Sequence, residues 1–145
     1  MGWFGTDPLD GDDGMDCRSE VFHFCDIDYD LLDDPSKETF KFIQNKLSEN
    51  QDKLYDWIRD YEWKGSNPGF KQAVYIQALL YIFLKYEIDI NHRGYKGGLI
   101  FVVDDGWARE DEERKESMDR LYSRLVTKQV EQNISIGYFE ELNFI

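Results

Sequence analysis

Apolar residues recur at helical spacing along most of the chain. Cys17, Val21, Phe22 and Cys25 fit one face of a helix over residues 13–26. Phe40, Ile43 and Leu47 predict a second over 36–48, with Ser36 as its N-cap. Leu54, Trp57, Ile58 and Tyr61 fall at i, i+3, i+4 and i+7 and predict a third over 51–63. Residues 70–86 are apolar almost all round, from Ala73 and Val74 to Phe83 and Leu84. A helix without a polar face belongs in the centre, wrapped by the others. Met118, Leu121, Tyr122, Leu125, Val126 and Val130 form the stripe of a long helix over roughly 109–132. On its surface, Glu110–Arg114, Asp111–Lys115 and Glu116–Arg120 are i, i+4 pairs in the favourable order.

The intervening segments read as turns and loops. Asp26 to Pro35 is one loop, Lys64 to Gly69 the clearest turn, and Asn91 to Gly98 a second loop. Leu99 to Val103 is ambiguous, because its β-branched residues favour a short strand. Residues 1–10 form an aromatic, turn-rich arm, and Asp10 or Asp12 can cap the first helix. The tail 133–145 is apolar, with Ile134, Ile136, Tyr138, Phe139, Leu142, Phe144 and Ile145. The expected fold is all-α: one domain over 1–145, a bundle around the 70–86 helix. The alternative is α+β, with 99–103 pairing with part of 133–145.

Charge narrows the functional classes. The 145 residues carry 17 Lys or Arg against 30 Asp or Glu, a net of −13. Such a chain is a poor ligand for nucleic acid or anionic membrane, since both need clustered cations. The apolar stretch from Ala73 to Leu84 is too short to span a bilayer. No basic-then-apolar leader is present, so a cytoplasmic protein is expected. The acid is uneven. Residues 1–36 hold 11 acids and one base, Arg18, while residues 37–145 hold 19 acids and 16 bases.

Candidate chemistry follows from that layout. Asp7, Asp10, Asp12, Asp13 and Asp16 make an electronegative surface suited to a basic protein partner. With Asp26, Asp28 and Asp30 they also offer oxygen ligands for a hard cation. The EF-hand register fails, because Leu31 or Met15 stands at the glycine position. Cys17, His23, Cys25 and His92 are zinc-type ligands without a zinc-type spacing. Two cysteines do not make a disulfide scaffold, and buried thiols are expected. Arg93 and Lys96, with Trp107, could hold a small anion or nucleotide. No nucleophile elbow, phosphate loop or zinc-protease motif occurs. No catalytic residue, metal or cofactor is therefore assigned.

The opening Gly2-Trp3-Phe4-Gly5-Thr6-Asp7-Pro8-Leu9-Asp10-Gly11-Asp12-Asp13-Gly14-Met15-Asp16 resembles small bacterial and phage proteins of a domain family of unknown function. Asp104 to Lys115 resembles the start of the last long helix in its phage members. The resemblance covers about 27 residues and implies a mostly helical small protein. It carries over no activity. By association it implies a host-takeover or anti-defence role.

The leading expectation is a non-enzymatic, acidic interaction protein that binds or inhibits a basic-surfaced protein. A small-anion or nucleotide binder is the alternative, and a metal-dependent hydrolase is a third reading. The apolar tail leaves room for a homo-oligomer.

Overall fold

The computed structural model describes residues 12–61, 68–103 and 111–134. Among these described residues six α-helices follow one another: α1 (Asp12–Phe24), α2 (Lys37–Glu49), α3 (Gln51–Asp60), α4 (Pro68–Lys85), α5 (His92–Val103) and α6 (Glu112–Glu131). A 3-10 helix, Tyr29–Asp33, sits between α1 and α2. No strand occurs among the described residues, so the fold is all-α and the α+β alternative has no support there.

The central role of α4 follows from its sequence. Val74 to Leu80 are buried in an unbroken run, followed by Ile82, Phe83 and Leu84. Accordingly α4 packs against α1, α3, α5 and α6. Each partner presents a narrower stripe: Cys17, Val21 and Phe22 from α1, Leu54, Tyr55 and Ile58 from α3, Leu121 and Leu125 from α6. These side chains belong to one continuous apolar core.

The helix starts use short polar side chains. Ser36 Oγ accepts from the Thr39 amide at 3.2 Å, as the sequence predicts for α2. Asp111 caps α6 by accepting from the Arg114 amide at 3.1 Å. Asp28 caps the 3-10 helix, accepting from Asp30 N at 3.0 Å.

The helix stops share a second device. After α1, Ile27 N–H reaches back to Phe22 O and Asp26 N–H to His23 O. The same pair of bonds recurs after α4, from Ile88 to Phe83 and Glu87 to Leu84, and after α6, from Ile134 to Gln129 and Asn133 to Val130. This is the Schellman arrangement, with a left-handed residue and then an apolar one. Here the left-handed positions are Asp26, Glu87 and Asn133, with φ near +57°, +55° and +57°. The apolar residue is isoleucine each time.

Three sequence expectations need correction. Asn91–Gly98 is not a loop, nor is Leu99–Val103 a strand; together they build α5. Asn91 caps it, its Oδ1 accepting from the Gly94 amide at 3.0 Å. Tyr95, Leu99 and Val102, spaced at i, i+4 and i+7, turn inward. Burial thus outweighs the low helix propensity of the glycines. Gly94 has a specific reason to be glycine. A Cβ there would lie 2.2 Å from Tyr55 Oη and 2.6 Å from Ile90 Cγ2.

The α6 stripe is the second correction. Tyr122 and Val130 are exposed, because α4 and α5 meet only the narrower face of Met118, Leu121 and Leu125. The third is Arg114. Expected in a surface pair with Glu110, it is fully buried, and its guanidinium donates to Gln77 Oε1 of α4. Gln77 Nε2 in turn donates to Phe101 O of α5 at 2.7 Å.

Candidate functional site

Asp12 and Asp13 open α1, and Asp16 is exposed one turn further on. Asp7, Asp10 and Trp107 lie outside the described residues. The acidic surface continues past α1. Between Asp12 and Asp34 the chain has nine acids and one base, a net of −8. Asp16, Glu20, Asp26, Asp28, Asp30, Asp33 and Asp34 are all exposed. The 3-10 helix packs on α1, with Tyr29 edge-on to Phe22 at 5.9 Å between ring centroids. The base Arg18 is committed locally: its Nε donates to Tyr29 Oη at 3.2 Å.

Apolar side chains are exposed among those carboxylates. Met15 is 45% exposed, Tyr29 41% and Phe24 38%. Phe24, at the end of α1, stacks on Trp57 of α3 with centroids 5.7 Å apart and planes 29° apart. Trp57 meets Tyr61 edge-on at 6.2 Å and Tyr75 of α4 at 6.1 Å. The Phe24, Trp57 and Tyr61 rings floor an open groove of about 410 Å³, walled by Lys53, Asp56 and Asp60. Its carboxylates already hold cations. Arg59 grips Asp60 at 2.8 Å and Asp56 at 3.3 Å, and Arg93 of α5 reaches Asp56 at 2.5 Å.

Arg93 and Lys96, expected in a loop, stand a turn apart on α5. Besides Asp56, Arg93 donates to Asp52 O at 3.3 Å and lies over the Tyr55 ring at 5.4 Å. It ties α5 to α3, so an anion would compete there with two carboxylates. A second open groove of about 390 Å³ lies between Leu84 and the end of α6. Its charges are mixed: Arg124 and Lys128 face Glu87 and Glu131.

The metal-type residues do not converge. No group of three or more His, Cys, Asp or Glu is placed to hold a metal ion among the described residues. Cys17 and Cys25 are buried free thiols, whereas His23 and His92 are exposed. Burial, then the nearby Glu20 and Asp16, push the Cys17 thiol up. Burial, then Asp26, raise Cys25 to about 12. Thiols so poorly ionised are weak nucleophiles at neutral pH.

No family model, curated protein or solved structure matches the chain. Among the described residues, no helix is long and apolar enough to cross a membrane. Sequence reasoning had located the acid but not the groove. The helical spacing puts Trp57 and Tyr61 on the same face as Leu54 and Ile58; in the structure Trp57 is half-buried and Tyr61 is 46% exposed.

The buried acids predict behaviour at high pH. Burial raises Cys17 and Cys25, and also the phenols of Tyr55, Tyr75 and Tyr95. Unfolded, these groups lose protons at lower pH than folded. The stability they contribute is complete below the unfolded thiol value near 9.0 and falls as pH rises toward about 12. Denaturant midpoints at pH 7, 9 and 10.5 should therefore decrease in that order, with phenolate absorbance appearing together with unfolding. A flat profile would contradict it.

Proposed function

We propose that this chain is a non-enzymatic interaction protein that docks a basic-surfaced partner on the face made by α1 and the 3-10 helix. One observation carries the reading: nine acids against one base between Asp12 and Asp34, with exposed Met15, Phe24 and Tyr29 set among them. A one-signed surface steers an oppositely charged partner and raises its association rate. Exposed aromatics and methionine supply contact area that charge alone does not. The resemblance of residues 2–16 to small bacterial and phage proteins favours, by association alone, a bacterial host protein met in the cytoplasm as the partner. The small-anion reading is weaker, because Arg93 would have to leave Asp56 and Asp52.

The test compares two baits in affinity capture from a bacterial lysate at low and high salt. One is the wild type. The other carries Asp16→Asn, Asp26→Asn, Asp30→Asn and Asp33→Asn, all at exposed positions. A stoichiometric partner should be retained at low salt, released at high salt as the screening length falls below its ~8 Å at physiological ionic strength, and bound at least ~10-fold more weakly by the variant, which loses four of the charges that attract it. Equal affinity of the two baits would remove the acidic face from the function.

A further inference from the structure

The outward face of α3 has a symmetry of its own. Lys53, Asp56, Trp57, Asp60 and Tyr61 fall at i, i+3, i+4, i+7 and i+8, on the side away from the buried Leu54, Tyr55 and Ile58. Lys53 and Asp60 stand two turns apart, ~10 Å along the axis, and Trp57 lies almost midway between them. Lys53 is exposed and, among the described residues, in no ion pair. Asp60 is held by the adjacent Arg59 and keeps its side chain 64% exposed. Phe24, stacked on Trp57, widens the apolar middle. Charge sets this face apart. The chain carries −13, so copies of it repel over most of their surface. Around the groove the sum is zero: Lys53, Arg59 and Arg93 stand against Asp52, Asp56 and Asp60. The acidic 3-10 helix lies on the other flank of α1. Its Tyr29 packs on Phe22 and Arg18, which stand ~120–160° round the helix from Phe24.

We propose that this face pairs with a second copy of itself, the two α3 helices running antiparallel about a two-fold axis beside Trp57. In that arrangement Lys53 of each copy comes level with Asp60 of the other, so one rotation makes two ion pairs. The Trp57 rings meet between them, with Phe24 and Tyr61 closing the apolar centre. An isologous interface needs a patch complementary to itself. A cation and an acid placed symmetrically about an aromatic centre meet that need. Trp57 is already fixed by Phe24, Tyr61 and Tyr75, so little side-chain entropy remains to be lost on pairing. At ~15 Å long, α3 is too short to cover the ~800 Å² per partner of a standard interface, so dissociation in the micromolar range is expected. The proposal stands independently of the acidic-face reading.

The experiment is sedimentation velocity of the full chain, from micromolar to millimolar concentration at physiological salt. It is run on wild type, on Lys53→Asp, on Asp60→Lys, and on an equimolar mixture of the two variants. Both positions are exposed, so both variants should keep the fold, which circular dichroism checks. Wild type should pass from monomer to dimer. Each variant alone sets like charges against each other at both crossing points and should dimerise at least ~10-fold more weakly, since juxtaposed like charges are strongly unfavourable at an interface. In the mixture opposite charges face each other again at both points, and the dimer should return. A wild type that stays monomeric throughout overturns the proposal. A dimer that both variants keep overturns α3 as the interface. Two weakened variants whose mixture does not recover overturn the antiparallel two-fold pairing.

Discussion

Gly94→Ala is expected to lower the unfolding free energy by roughly 3 kcal/mol, the upper end of the range for overpacking. The added Cβ would stand 2.2 Å from Tyr55 Oη and 2.6 Å from Ile90 Cγ2. Tyr55 cannot swing away freely. It is fully buried, packs edge-on to Phe83 at 6.0 Å, and donates to Gln51 Oε1 at 2.8 Å. The clash therefore has to move α5 off α3 or break that bond. Tyr55→Phe removes the nearest atom, so Gly94→Ala should cost less in that background than in wild type. Urea titration of the four proteins in the cycle gives the coupling. Additive costs would mean that α5 shifts as a body and that Tyr55 is not the obstacle.

The second large effect is at Gln77. Gln77→Leu should cost about 2–4 kcal/mol, because it removes two buried hydrogen bonds, one of them to a charged group. Gln77 accepts from the Arg114 guanidinium of α6 and donates to Phe101 O of α5 at 2.7 Å. One amide thereby joins the central helix to both helices of its far side. Replacing Arg114 by Met in the same protein should return part of the loss, since a buried polar pair exchanged whole for apolar groups is far cheaper than half of it. Midpoints from guanidinium titration decide this. If the double variant is less stable than Gln77→Leu alone, Arg114 stabilises the fold chiefly through contacts other than Gln77.

These two sites mark where a linear reading of the chain succeeds and where it stops. The α4 helix was legible because the twelve residues from Ala73 to Leu84 carry no charge and a single amide, Gln77, and that pattern has few other solutions. Ser36 was legible because a cap acts over three residues. The α5 helix was not, because its reasons are tertiary: Gly94 is explained by a ring on α3, and Gly97 and Gly98 by burial. Arg114 reads as one more surface charge until Gln77 is seen opposite it. The candidate site divides in the same way. Acid density can be read from composition, so Asp16 and the run from Asp26 onward were visible beforehand. The groove depends on Phe24 meeting Trp57 across two helices, and no local pattern carries that.

The segment between α4 and α5 is held by glutamines from three directions. Gln44 donates to Tyr86 O at 2.9 Å, Gln51 to Asp89 O at 3.1 Å, and Gln132 to Ile90 O at 2.8 Å. Each bond joins residues 42, 38 and 42 positions apart, respectively. Helical proteins usually fold through near-neighbour contacts, and fast. Here a six-residue stretch waits for α2, α3 and the end of α6 to arrive before its carbonyls are satisfied, and each wait carries the entropy of closing a long loop. The lock is therefore expected to close late on the folding pathway, with φ-values near zero for Gln44, Gln51 and Gln132. Interactions absent from the transition state govern how slowly the native state opens. On that order of events, the three amides are expected to slow unfolding rather than to speed folding.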